Sequence, residues 1–218
     1  MLTNNVKIIV VEDHPLMRQG IRLILESDKM IEVVKETDSA NDAMSYLADN
    51  QTDVAIVDIS LKGNVSGIDL IKSINSRKIP VKVVVLSMFS DTYNVERALK
   101  AGANGYVAKF EASEKIIEAI EFVLRGEIYI SSNISGQIVN NLINSKSAAH
   151  SNEIDRLTDR EKEIFSLIGA GYSTRNIIAE LNIKPNTVET HKKNIKQKLG
   201  LKNISEVNQL AHKWKSMQ

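Results

Sequence analysis

In this 218-residue chain, four short apolar runs each stop at a side chain able to do chemistry. Residues 6–11 (VKIIVV) end at Glu12 and Asp13, 54–57 (VAIV) at Asp58, 81–86 (VKVVVL) at Ser87, and 105–108 (GYVA) at Lys109. Carboxylates brought together from separate segments repel one another unless a hard cation neutralises them, and oxygen ligands of this kind suit Mg²⁺. An ion held there also draws in a phosphoryl group, which Asp58 can attack as a nucleophile to give an acyl phosphate. Lys109 would compensate the added charge, and the Ser87 hydroxyl would hydrogen-bond a phosphoryl oxygen. Taken singly, each residue has an ordinary reading. Asp13 is a candidate cap for a helix beginning near Pro15, Asp58 a loop acid, Ser87 a strand-end hydroxyl and Lys109 a solvated lysine. Their conjunction favours a shared pocket.

Such a pocket needs a scaffold that carries all these run ends to one place. The β-branched runs at 6–11, 31–35, 54–58, 81–86 and 105–108 alternate with helical spacing at 16–25, 40–48, 68–74, 95–101 and 116–124. Strands alternating with helices predict a parallel sheet covered on both faces, and continuously apolar central runs fit doubly buried strands. The expected fold class is α/β: a flavodoxin-like (CheY-like) doubly wound parallel five-stranded sheet of order 2-1-3-4-5, followed by a small all-α helix-turn-helix domain. In such sheets ligands bind at the carboxyl ends of the strands, near the reversal in strand order. That is where the five polar residues fall.

Composition bounds the rest. Hydrophobic residues are 43% and charged residues 25%, ordinary globular values. There is no cysteine, which excludes disulfides and thiolate metal sites. The apolar runs are too short for a membrane span and the N-terminus lacks the apolar core of a secretory signal, so a cytoplasmic protein without membrane partners is expected. From residue 154 onward 12 Lys/Arg face 7 Asp/Glu, whereas the preceding part is net acidic. A basic C-terminal part suggests a polyanionic partner.

Residues 126–153 are rich in Ser and Asn and read as a linker with one short helix around 138–143, flexible near 145–152. Three domains of sequence follow: 1–125, the linker 126–153, and 154–218. In the last, Thr158 and Glu161 have capping-box spacing, Gly171 suits a helix end, and Pro185 and Gly200 bracket a longer helix. A short helix, a brief turn and a longer helix suggest a helix-turn-helix. Ile177, Ile178, Leu181, Val188, Ile195 and Leu199 form the inward stripe. Four lysines within seven residues (Lys192, Lys193, Lys196, Lys198) sit on the second helix, a footprint suited to DNA or, equally, a solvated lysine-rich face.

Residues 1 to about 125 resemble the receiver domain of bacterial two-component response regulators, on VVEDHPLMRQGI, the aspartate of VAIVDISL, the serine of VVVLSMFSD and the lysine of AGANGYVAK. The resemblance implies that Asp58 is the phospho-acceptor. It implies Mg²⁺ at the acidic pair Glu12 and Asp13 with Asp58 and the Ser60 main-chain carbonyl, Ser87 and Lys109 as phosphate contacts, and Tyr106 as the switch aromatic. Two departures stand out. Lys62 and Ser66 occupy the places of a usual proline and glycine, Gly67 coming one residue late as if the loop had gained a residue. Phe110 replaces the usual proline after Lys109, so no cis peptide is required there.

The stretch LTDREKEIFSLIGAGYSTRNIIAELNIKPNTVETHKKNIKQKLGL resembles the LuxR/NarL-type helix-turn-helix over nearly its whole length. By that resemblance the motif covers 173–192 and the recognition helix 186–199. Glu189, Thr190 and Lys193 match positions that reach base edges, and Thr174, Thr187, Lys192 and Lys196 suit phosphate contact. The whole is thus identified as similar to NarL/FixJ-type regulators: not an enzyme, but a transcription factor switched by a sensor histidine kinase acting on Asp58. It would bind paired half-sites of double-stranded DNA as a homodimer, the last helix serving as a dimer contact. Three rivals remain at this stage. One is a regulator of the same fold that binds DNA regardless of phosphorylation. An aspartyl phosphatase would want a second acid where Ser60 stands. A flavin or nucleotide module would want glycines where the chain has EDHP.

Overall fold

The computed structural model describes residues 5–61, 65–88, 92–131, 135, 154, 156–181 and 183–216. The chain divides into two compact units, Met1–Val139 and Asn140–Gln218. In the first, elements alternate as expected: β1 (Val6–Val11), α1 (Pro15–Glu26), β2 (Ile31–Thr37), α2 (Ala40–Asp49), β3 (Val54–Asp58) and α3 (Gly67–Ser76). Then come β4 (Lys82–Ser87), α4 (Thr92–Ala101), β5 (Gly105–Ala108), a 3₁₀ turn (Lys109–Glu111), α5 (Ala112–Leu124) and β6 (Tyr129–Ile130). The strands are parallel and ordered β2-β1-β3-β4-β5-β6.

Side chains alternate between two cores because successive residues of a strand point to opposite faces. Ile9 and Val11 join Val57, Val83, Val85 and Tyr106 in one cluster with residues of α2, α3 and α4. Ile8 and Val10 join Ile56, Val84, Leu86 and Val107 in the other, with residues of α1 and α5. This is why the central runs are continuously apolar: neither face meets water.

The sheet has six strands rather than the five expected, and the sixth lies where the linker was predicted to begin. Gly126, at φ +85, closes α5 with the left-handed residue that helix ends favour. The chain then returns so that Tyr129 and Ile130 pair with Gly105 and Tyr106, and the Tyr129 ring packs edge-on against Phe122 at 5.4 Å between centroids. Two residues are too few to show a strand period, so pairing with β5 rather than local propensity makes this strand. The helix expected around 138–143 and the flexible stretch 145–152 lie outside the described residues, as does Lys62.

The second unit contains α6 (Asp159–Gly169), α7 (Thr174–Leu181), α8 (Pro185–Lys198) and α9 (Ile204–Lys215). The Thr158 and Glu161 capping box forms as predicted, an arrangement that supports a helix by about 1 kcal/mol. Gly171 and Gly200 take positive φ at two helix ends. Ile164, Phe165, Ile177, Leu181, Val188, Ile195, Val207 and Trp214 are buried, and Ile178 and Leu199 are half-buried. Gly169 lets α6 approach α9: a Cβ there would stand 2.5 Å from the Ala211 carbonyl oxygen.

Candidate functional site

Register does what the sequence asked of it. Asp58 pairs with Leu86 and Ser87 with Ala108, so Asp58, Ser87 and Lys109 stand at the carboxyl ends of three adjacent strands. Glu12 and Asp13 follow β1, which pairs with β3. Glu12, Asp13, Asp58, Ser60, Ser87 and Lys109 are all buried. The Lys109 ammonium lies 2.8 Å from Glu12 Oε2 and 2.9 Å from Asp58 Oδ2. Asp58 Oδ1 accepts from the Ser60 main-chain N–H at 3.0 Å.

Charges in so dry a place perturb one another. Burial, reinforced by Asp58, pushes the Glu12 carboxyl above the usual range despite the opposing pull of Lys109. Burial alone would lower Lys109, yet the attraction of Asp58 and Glu12 outweighs it and holds the ammonium proton more tightly than usual. The lysine therefore stays charged, tying the end of β3 to the acidic pair.

Two local features position Asp58 and the acids. Gly67 opens α3 directly against β3, where a Cβ would stand 2.0 Å from the Asp58 carbonyl oxygen, and its N–H donates to the Ile59 carbonyl at 3.0 Å. The late glycine thus fills the close-approach place. Pro15 starts α1, with His14 as its N-cap residue making no side-chain cap; Asp13 is therefore not the cap. Tyr106 is fully buried, on the same side of the sheet as α2, α3 and α4. No cis peptide occurs among the described residues.

In the second unit, α8 presents Glu189, Thr190 and Lys193 on an exposed face, with Thr187 and Lys196 half-buried beside them. The opposite stripe is Val188, Lys192 and Ile195. Lys192 thus departs from the expectation of an open phosphate contact. It is 8% exposed because it lies four residues after Val188 and three before Ile195, and its ammonium donates to Thr174 Oγ1 on α7. Two of the four residues expected to touch phosphate, Thr174 and Lys192, thus brace the motif's two helices against each other.

Residues 8–121 match the response regulator receiver domain, and residues 155–211 match the bacterial regulatory proteins of the luxR family. The chain belongs to the response regulators. Among its relatives, the oxygen regulatory protein NreC of Staphylococcus carnosus is 34% identical over 212 residues, covering 96% of this chain and 98% of that one. The nitrate/nitrite response regulator protein homolog of Haemophilus influenzae is 30% identical over 200 residues, 92% of this chain and 93% of the other. Among solved structures, the RcsB response regulator of Salmonella typhimurium is 26% identical with a TM-score of 0.60, over 96% of this chain and 99% of that chain. An RcsB–DNA complex matches at 26% identity and a TM-score of 0.58, over 94% and 97%. This regulator thus has the NarL/FixJ arrangement, a receiver followed by a LuxR-type DNA-binding domain.

The receiver's donor set fits a divalent ion. Glu12, Asp13, His14 and Asp58 each offer one ligand atom, all within 4.8 Å of one another. Three carboxylates against one ammonium leave a formal charge near −2, which a divalent ion balances. Sequence reasoning missed two contributors. Arg18 donates from Nη1 to the Glu12 carbonyl oxygen at 2.5 Å, and the His14 ring approaches both acids. Neighbouring positions 12, 13 and 14 carry no periodicity that would say which side chains converge.

Proposed function

We propose that this regulator accepts a phosphoryl group on Asp58 and that the modification controls its binding to promoter DNA. The observation carrying this reading is the buried Glu12–Lys109–Asp58 cluster at the carboxyl edge of the sheet. The donor is a sensor histidine kinase in the cytoplasm. An Asp58 carboxylate oxygen attacks phosphorus as the bond from phosphorus to the donor imidazole breaks. The imidazole leaves with the bonding pair, and an acyl phosphate remains on Asp58. Asp13, Asp58, Glu12 and the Ser60 carbonyl would hold the Mg²⁺ ion, which when bound stabilises charge on phosphoryl oxygens. Lys109, already charged beside Asp58, balances the added anion. Ser87 moves to hydrogen-bond a phosphoryl oxygen, and Tyr106 reorients as the space around Ser87 changes.

The output is DNA binding by a homodimer on paired half-sites. Glu189, Thr190 and Lys193 face base edges, Glu189 accepting from a cytosine amino group, while Thr187 and Lys196 contact phosphates. Thr174 and Lys192 hold the two helices of the motif in register. The test is to incubate the wild type and Asp58→Asn with a labelled small phosphodonor. Acid-stable, hydroxylamine-labile label is expected on the wild type alone; equal labelling overturns the assignment. DNA affinity at one salt concentration should rise with beryllofluoride, and an unchanged affinity would instead support phosphorylation-independent binding.

A further inference from the structure

The His14 ring stands among the candidate metal ligands, a position that nothing in the acidic-pocket reading requires. Its Nδ1 lies 2.8 Å from Asp13 Oδ1 and 3.2 Å from Glu12 Oε1. Two neighbouring ligand atoms on an octahedral ion, each about 2.1 Å from the metal, stand about 3.0 Å apart. His14 Nδ1 is thus spaced from each oxygen as a neighbouring ligand of one ion would be, and one ligand atom of Asp58 lies within 4.8 Å of the others. Lys109 contacts Glu12 Oε2 and Asp58 Oδ2, so its ammonium is on the other oxygen of Glu12 from the one that approaches His14 Nδ1.

The backbone holds the ring there. The His14 N–H donates to Glu12 Oε1 at 3.0 Å, and its extended conformation (φ −86, ψ 111) is the one favoured before a proline. The side chain is 39% exposed, so an ion can reach it from solvent.

From this arrangement we propose that His14 Nδ1 is a direct ligand of the receiver's divalent ion, making the site prefer borderline first-row ions to magnesium. The inference rests on the reading of the acidic pocket as a metal site. Both oxygens near Nδ1 only accept, so without an ion the ring donates to them from Nδ1. With an ion the neutral ring carries its proton on Nε2 and gives the Nδ1 lone pair to the metal. An imidazole nitrogen strengthens binding of cobalt or nickel much more than of magnesium, which favours oxygen.

The test uses the full chain with Mn²⁺ as a paramagnetic probe and Co²⁺ and Mg²⁺ titrated by calorimetry. Pulsed electron paramagnetic resonance of bound Mn²⁺ should show ¹⁴N coupling that His14→Ala and His14→Gln both remove. Co²⁺ affinity should fall at least about tenfold in these variants while Mg²⁺ affinity moves less than about twofold. Asp58→Asn, which removes a shared ligand, marks binding at this site. Asp58-dependent Mn²⁺ binding without ¹⁴N coupling in the wild type overturns the inference and leaves the proposed function standing. Equal weakening of Co²⁺ and Mg²⁺ in the His14 variants overturns it as well. If the wild type shows no Asp58-dependent Mn²⁺ binding, the metal-pocket reading itself fails and takes this inference with it.

Discussion

Lys109 sits in surroundings that would expel a lone ammonium, and it remains charged because Glu12 and Asp58 hold it from two sides. Removing one partner of such a cluster leaves buried charge uncompensated, which costs about 3–5 kcal/mol. Lys109→Met is therefore expected to lower the urea midpoint of the receiver at pH 7. Adding Glu12→Gln should recover part of the loss, because it removes the carboxylate that already disfavours ionisation. A double variant no more stable than Lys109→Met would show that repulsion between the acids is not the source. Residue identity alone could nominate the cluster, but its sign-by-sign balance depends on distances near 2.8 Å.

At the scale of elements, close approach and burial decide. Gly67 is the contact point between α3 and β3, and a methyl there meets backbone rather than a flexible side chain. Gly67→Ala is expected to destabilise by about 1–3 kcal/mol, as overpacking does, and to slow acyl-phosphate labelling by displacing Asp58. Denaturant unfolding and labelling kinetics on one sample check both. In the second unit, His191 on α8 has Nδ1 buried without a hydrogen-bond partner among the described residues. Burial and the charges of Arg160 and Lys198 push its pKa down, with Glu161 opposing. A histidine whose folded pKa lies below its unfolded value near 6.5 binds its proton more readily when unfolded. Its contribution to stability is thus full above about pH 6.5 and is lost as pH falls towards the lower folded value. Unfolding midpoints measured from pH 7.5 down to 5.5 should decline, and His191→Gln should flatten that decline.

For the whole molecule, the opposite charge of the two parts separates their work. The basic C-terminal part, with 12 Lys/Arg against 7 Asp/Glu, makes DNA affinity fall with salt. If Lys196 neutralises one phosphate, Lys196→Ala lowers the slope of log affinity against log salt by about 0.9 and leaves operator preference unchanged. Glu189→Ala should instead alter preference at one base position with little change in slope. A binding selection at two salt concentrations distinguishes these outcomes.

The alternation of apolar runs with helical spacing settled the receiver's architecture in advance, because doubly buried parallel strands need unbroken β-branched sequence. The acids and the lysine at the run ends were equally legible, as was the helix-turn-helix from its caps and stripe. Tertiary structure alone decided the rest. The sixth strand exists only because β5 offers it a partner. The Lys192 ammonium is held on α7 because Thr174, eighteen residues away, meets it. His14 faces the acids because Pro15 and the Glu12 carboxylate fix its backbone. Local patterning is written in neighbouring residues, whereas which groups meet across a fold is set by contacts that no spacing along the chain records.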